Sequence, residues 1–510
     1  MNRRRFLLST TAMAAASAYA PLSCAASEVS VELVLRDDAD GAKIPLTFSG
    51  LSYELAQLSD PTFFSGANTD LIAYCRLLSP HGVLRLGGNT SEFCWFKANA
   101  STPEPKLHVP AGNLDANWMP HRLFAIEPAA IDALAGFLDA TGWQLIYGVN
   151  FGNSTPQRAA EEAAYVAQKV GDRIEFFQIG NEPDLYTKTT NGTRPAGWNF
   201  ADYVREWTAF AEAIVAQVPH ARFGGPDVAA SSDWVTRLSA EVPASITSRL
   251  VALTGHYYAA GPPDDPHVTI ERLLAGNPKV ATATKDIVAA AQATHRLYRM
   301  SEGNSCYRGG KPGMSNAFAA ALWAGDYMLQ LAGLGCSGVN LHGGRSEFLT
   351  AGLGGHTPGK DAASATQAVP NGFYSPIQSE AGRAVKAMPV FYGMMAANQL
   401  AGCTMMRAEC DWHGVNATAY AARGADGVRV AIFNKDADSA LRIKVRGVAA
   451  RAARVWRLGG PRLDATDGTT LAGTTIGEHA QWKPRAETAD ARGGGMEIAI
   501  PAASGAVVFL

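Results

Sequence analysis

From Leu46 onward, short apolar runs rich in β-branched residues recur, each closing on polar or glycine positions and each followed by a segment of helical period. The runs are Leu46 to Tyr53, Val83 to Leu86, Gln144 to Val149, Glu175 to Ile179, Arg222 to Pro226, Leu250 to His256, Leu297 to Ser301 and Gly338 to His342. Between them lie amphipathic stretches such as Gln157 to Val170, Asp202 to Val218 and Ser315 to Leu334, built from the strong helix formers Ala, Leu and Glu. Strand-then-helix alternation predicts a parallel sheet. A closed barrel and an open doubly wound sheet both satisfy it, and eight repeats favour closure, so the expected fold is α/β with a (β/α)8 TIM barrel over residues 46–399.

Near Leu400 the texture changes to short alternating runs separated by Gly and Asp: Gly427 to Asn434, Leu441 to Val448, Met496 to Ile500 and Ala506 to Leu510. Period-two alternation over such lengths predicts a β-sandwich over residues 400–510. Val29 to Leu35 alternates in the same way, so residues 27–45 are expected to supply an N-terminal strand to that sandwich. The Gly-, Ser- and Thr-rich segment from Gly343 to Pro376 is expected to be a long loop over the barrel mouth.

Residues 1–26 carry a basic start (Arg3, Arg4, Arg5), an apolar stretch and Ala18-Tyr19-Ala20, the parts of an export signal, and the arginines before Phe6-Leu7 resemble the twin-arginine type. This implies a periplasmic or secreted protein. A membrane anchor is the other reading, but the run is shorter than the ~20 residues that span a bilayer. Cys24 lies near the expected cut, where lipid attachment is a second option, although Pro21-Leu22-Ser23 is a poor lead-in.

Composition narrows the ligand. With 47% hydrophobic and 18% charged residues the chain is globular throughout, and a net charge of −2 without any Lys/Arg run leaves no footprint for nucleic acid, an anionic membrane or a highly sulfated polymer. Cys75, Cys94, Cys306, Cys336, Cys403 and Cys410 lack the paired spacing of a zinc site, so no metal is expected. Cys403 and Cys410 are near enough in sequence to pair in an exported protein, and free buried thiols fit equally well.

In a parallel barrel the C-terminal strand ends converge on one face, and two carboxylates fall there. Glu182 follows strand four in Gln178-Ile-Gly-Asn-Glu-Pro-Asp, and Glu302 closes strand seven in Tyr298-Arg-Met-Ser-Glu-Gly-Asn. Such a pair suits glycoside cleavage, in which one carboxyl protonates the leaving oxygen and the other attacks or activates water. Burial and a neighbouring carboxylate would both raise the pKa of Glu182 toward that of a usable acid. Asn181 can hydrogen-bond a sugar hydroxyl beside the reacting carbon. The plainer reading is that Glu182 caps the next segment, and Ser-Glu-Gly around Glu302 is a weak motif by itself.

At these residues the sequence resembles a known family. Gly180-Asn181-Glu182-Pro183 and a Glu closing strand seven look like clan A glycoside hydrolases. Arg85-Leu-Gly-Gly-Asn89, Gln178 to Tyr186, Glu302-Gly-Asn-Ser-Cys-Tyr307 and Gly309-Gly-Lys-Pro-Gly313 look like glycoside hydrolase family 79, which contains bacterial β-glucuronidases and heparanases. The resemblance implies a retaining mechanism with Glu182 as acid/base and Glu302 as nucleophile. It also implies that Tyr307 and the amides of Gly309 and Gly310 hold the glucuronate carboxylate, with Tyr374 a second tyrosine for that work and Glu54 and Asn89 binding sugar hydroxyls. No cofactor is implied.

Other residues near the strand ends have bland readings beside functional ones. Arg85 suits support of the carboxylates better than sugar contact. In His256-Tyr257-Tyr258 an imidazole or phenol could orient Glu302, with core packing expected of at least one tyrosine, and His342 is similarly placed. Arg308 and Lys311 could attract an acidic sugar, but exposed loop charges are more often solvated, and they read as such. Of Trp95, Trp118, Trp143 and Trp198, only Trp118 reads as a sugar-stacking platform.

The expectation is an exo-acting retaining β-glucuronidase that removes terminal glucuronate, with or without a 4-O-methyl group, from glycans. Alternatives are another clan A glycosidase (β-glucosidase, β-xylosidase or arabinofuranosidase), a heparanase-like endo-enzyme, and an inactive glycan-binding protein of the envelope.

Overall fold

The computed structural model describes residues 27–37, 41–107, 123–188, 193–353, 372–380, 383–492 and 495–510. The export segment with Cys24, the loop holding Trp118 and much of the Gly343–Pro376 segment lie outside them. Strand β1 (Ser27–Arg36) comes first, followed by the barrel strands β2 (Ser49–Glu54), β3 (Val83–Gly87), β4 (Gln144–Val149), β5 (Ile174–Ile179), β6 (Phe223–Val228), β7 (Leu250–Ala260), β8 (Leu297–Cys306) and β9 (Gly338–Gly343). All eight barrel strands run parallel, and β9 pairs with β2 from Val339↔Ser49 to Gly343↔Tyr53, which closes the barrel. The α/β barrel expected from the sequence is the fold observed.

Inside the barrel, alternation sorts residues into layers. Val83, Ile146, Phe176 and Ala252 form an apolar plug at the lower end. Two residues further along β3, β5 and β7 come Arg85, Gln178 and Thr254, all buried, and His256 lies one step above on β7. The interior is narrow enough that a side chain at Gly224 would stand 2.3 Å from the Phe176 ring.

Two strands extend past the apolar runs. β7 continues beyond His256 to Ala260 and β8 beyond Ser301 to Cys306; the β8 tip is buried throughout, the β7 tip only partly, and the two stay paired from Glu302↔His256 to Cys306↔Ala260. Glu302 therefore lies within β8, not at its end. The register with β7 shifts between Met300 and Glu302, a bulge that re-aims this side chain over the barrel axis. The segment after β9 is also more ordered than a loop: Ser346–Gly352 is helical.

Beyond the barrel, β10 (Thr404–Glu409), β11 (Ala417–Gly424), β12 (Gly427–Asn434), β13 (Ser439–Arg446), β14 (Ala452–Gly459), β15 (Glu487–Arg492), β16 (Gly495–Ile500) and β17 (Ser504–Phe509) build one mixed sheet with β1 and the short strand Thr470–Leu471. β14 also pairs with β17, so the sheet folds over on itself around an apolar filling that includes Leu33, Val430, Ile443 and Val508. β1 lies parallel to β13 and antiparallel to β10. Cys403 and Cys410 are both free thiols, as are the other four described cysteines. No described helix is long and apolar enough to cross a membrane.

Candidate active site

Glu182 follows β5 in the left-handed region (φ 50°), a conformation costly for a residue with a Cβ and characteristic of functional turns. Its amide donates to the carbonyl of Asp227 at 2.8 Å, and Asp227 is itself left-handed (φ 62°). Two constrained tips are thereby tied together. One oxygen of Glu182, one of Glu302 and a ring nitrogen of His256 all lie within 4.8 Å of one another.

Arg85 sits beneath them, 1% exposed. Its guanidinium donates to Glu302, to Asp227 at 2.5 Å, to Asn181 Oδ1 at 2.8 Å, to Gln178 at 3.0 Å and to Ser52 at 3.1 Å. Tyr258 Oη donates to the other oxygen of Glu302 at 2.8 Å, and His342 Nδ1 lies 3.7 Å from Glu302. Burial pushes the Glu302 carboxyl up, but His342, His256 and Arg85 overcome it and hold its pKa down at about 2. Glu302 is thus an anion near neutral pH.

Glu182 goes the opposite way. Burial raises its pKa, His256 opposes that rise, and the negative charge of Glu302 adds to it. His256 bridges the two halves of the site: Nδ1 is 3.1 Å from Glu182, and Nε2 is 3.1 Å from Asp227 Oδ1, an ion-pair contact rather than an aligned hydrogen bond. Burial lowers the imidazole's pKa, yet Asp227 and Glu302 raise it further, to about 10. Asp227 also accepts from Gln178 at 2.6 Å and Ser301 at 2.5 Å. Despite burial, the charges of Arg85 and His256 hold its pKa well below the usual carboxylate range.

The trio Glu182, His256 and Glu302 has the spacing of a metal site. Its chemistry fits poorly, because a protonated His256 has no lone pair to give and Glu302 already pairs with the Arg85 cation. What the group can do is push one carboxyl toward its protonated form beside an ionised one.

The remaining sequence candidates divide by position. Glu54, Asn89, Tyr307, Gly309 and Tyr374 line the same cavity as Glu182, His256 and Glu302. Glu54 accepts from the amide and hydroxyl of Thr90 at 2.8 and 2.7 Å and faces His342 at 3.6 Å. Asn89 reaches Gly352 and accepts from Asn181 at 3.1 Å. The Tyr258 ring lies 6.3 Å from that of Tyr307 and 6.1 Å from that of Tyr374, centroid to centroid. The carbonyl of Gly309 accepts from the amides of Gly372 and Tyr374. Gly310, Asn181 and Arg85 stand behind the cavity wall; a side chain at Gly310 would meet the Tyr374 amide at 2.7 Å.

The two tyrosines after His256 divide the roles expected of them, both lining the cavity. Tyr257 points away from Glu302 and stacks on Tyr327 at 5.5 Å, while Tyr258, which shares a face with His256, holds the carboxylate. Period two from His256 was the signal for Tyr258. Asp227 had a weaker one, as a carboxylate one residue past the apolar run of β6. Arg308, read as a solvated charge, is only partly exposed and lines the cavity beside Tyr307, its guanidinium 5.5 Å from that ring. Trp95, Trp143 and Trp198 are core residues.

No family model matches the chain. It is 26% identical over 333 residues to a β-glucuronidase of Aspergillus niger, covering 60% of each, and 25% identical over 346 residues to a heparanase of Gallus gallus, covering 58% of this chain and 62% of that one. The chain thus spans about three-fifths of the length of the curated relatives it matches. Among solved structures, a 4-O-α-L-rhamnosyl-β-D-glucuronidase from Fusarium oxysporum superposes with a TM-score of 0.74 over 94% of this chain and all of that one, at 17% identity. An arabinofuranosidase from Xanthomonas axonopodis shares the fold at a TM-score of 0.60 and 16% identity. The chain is thus similar in sequence to β-glucuronidases and a heparanase, and shares its fold with a glucuronidase.

Proposed function

We propose that this protein is an exo-acting β-glucuronidase that works with retention, Glu302 attacking the anomeric carbon and Glu182 first protonating the leaving oxygen and then activating water. The observation that carries this reading is the pair of carboxylates with oxygens within 4.8 Å, one held anionic and one pushed toward its protonated form. Retaining enzymes hold their carboxyls ~5 to 5.5 Å apart, whereas inverting ones leave room for a water. Arg85 and Tyr258 position Glu302 through its two oxygens. His256, held as a cation by Asp227, stabilises the charge on Glu182 once it has given up its proton.

Tyr307, Arg308, Gly309 and Tyr374, on one side of the cavity, supply the phenols, cation and backbone suited to a uronate carboxylate. The β-glucuronidase names of its relatives support the same sugar. The basic, apolar leader supports export to the periplasm or beyond.

A panel of nitrophenyl β-glycosides tests this. The β-glucuronide should turn over fastest, and faster cleavage of the β-glucoside or β-xyloside would overturn the uronate assignment. Proton NMR of the first-formed anomer should show the β form; the α form would mean inversion. Binding without hydrolysis would instead favour an inactive envelope protein.

A further inference from the structure

The cavity that holds the two carboxylates measures about 730 Å³, in the range that takes drug-sized ligands rather than one sugar ring. Its lining continues past Glu182. It takes in Leu185 and Val228, then outward-facing side chains of β7 and β8, Tyr257 and Met300, and then Val235 and Ile287 on the facing sides of the helices Ser232–Glu241 and Pro278–Ala293. The same two helices and their caps also bring Ser232, Asn277, Lys279 and Thr284 to the cavity, so the wall is mainly apolar with a few polar groups, and Asn277 is already engaged with the phenol of Tyr257.

The floor of this slot has room for a methyl group. A side chain at Gly255 would meet nothing closer than 3.6 Å (Tyr298 Oη), with Val235 and Val228 at 3.7 and 3.9 Å, and its backbone is not left-handed. The space is therefore available, not an artefact of a crowded glycine.

Position decides what could fill it. The acid of a retaining glycosidase stands on the leaving-group side of the scissile bond. The slot begins at Leu185, three residues after Glu182 (185 − 182), and at Val228, next to the residue whose carbonyl holds the Glu182 amide. A glycan leaving group would need partners for its hydroxyls here, since unpaired polar groups are costly to bury. An apolar ring would be gripped by the aliphatic walls, the Tyr257 ring and the Met300 thioether.

We infer that the slot between β7/β8 and these two helices is an aglycone site for an apolar, ring-bearing alcohol or phenol, so that the substrates are glucuronides of small hydrophobic molecules rather than of glycans. This rests on the glucuronidase reading above. The test compares phenyl β-glucuronide, 2-naphthyl β-glucuronide and a glucuronate-capped disaccharide on the full chain, in the wild type and in Ala283→Trp and Gly255→Val, which crowd the slot from the helix and the strand side. The wild type should prefer naphthyl over phenyl in kcat/KM by about tenfold, the scale of discrimination a hydrophobic pocket provides. Both variants should reduce that ratio to below about threefold while still cleaving the phenyl substrate, which also reports that they are folded. A naphthyl preference absent from the wild type, a ratio untouched by both variants, or faster cleavage of the disaccharide would overturn the inference and leave the glucuronidase reading standing. Turnover of none of the three by the wild type would overturn both.

Discussion

In the C-terminal sheet, Arg442 pairs with Glu28 and Glu497 at 2.8 Å across neighbouring strands, with its side chain 46% exposed. In the barrel, Arg85 pairs with Asp227 and Glu302, and Arg85 and Asp227 are each 1% exposed. The contacts look alike on paper, but their surroundings differ. Water screens the first, so forming or losing it changes little. The second lies in low dielectric, where each charge exists only because its partners do, and where the same field holds one glutamate ionised while its neighbour's pKa is raised. Charge that a fold buries at such cost is charge it uses.

The sharpest break in this comparison is Glu302→Gln, which should abolish glucuronide hydrolysis while a circular dichroism spectrum stays native. Glu182→Gln should come next, lowering kcat by about 10²- to 10⁴-fold for poor leaving groups and much less for activated phenols, which need no proton. In Asp227→Asn, the third, Arg85 and His256 lose a shared counter-charge, at a cost of about 3–5 kcal/mol in denaturant unfolding. The His256 pKa should also fall from about 10, an NMR readout that loss of packing alone would not produce.

Smaller effects should follow pH. The folded pKa of Glu302, about 2, is below the unfolded value of ~4.3, so its contribution to stability is present above ~4.3 and is lost as pH falls through about 2. His256 has the reverse sign: its contribution is full below ~6.5 and is lost as pH rises through about 10. Thermal melts against pH should show both limbs, and Asp227→Asn should flatten the alkaline one. The alkaline limb of kcat/KM should report deprotonation of Glu182, above the ordinary carboxylate range. Smallest of all, Arg442→Ala should leave Tm and activity unchanged; a clear loss of either would erase the contrast between the two regions.

Much of this was legible along the chain, for a local reason. Strand and helix periods are properties of neighbouring residues, so all eight barrel strands, four strands of the C-terminal sheet and the alternation of β1 could be read directly, while strands such as Thr404–Glu409 and Ala452–Gly459 could not. Glu182 and Glu302 were legible because a parallel barrel brings its strand ends together wherever those ends fall in sequence. The tips of β7 and β8 were not: the β8 extension from Glu302 to Cys306 is largely polar yet buried, and the β7 extension is carried along by pairing with it.

Sequence alone therefore determined the eightfold strand and helix alternation, a β-rich C-terminal domain and the two carboxylates at strand ends, while closure of the barrel was settled by the pairing of β9 with β2. Tertiary structure decided that Tyr258 and not Tyr257 holds Glu302, that Asp227 joins His256 to Arg85, and that an apolar slot opens beside Glu182. These depend on which side chains meet across a closed barrel within a few ångströms. Electrostatic coupling and cavity shape are set by such distances, and no spacing along the chain encodes them.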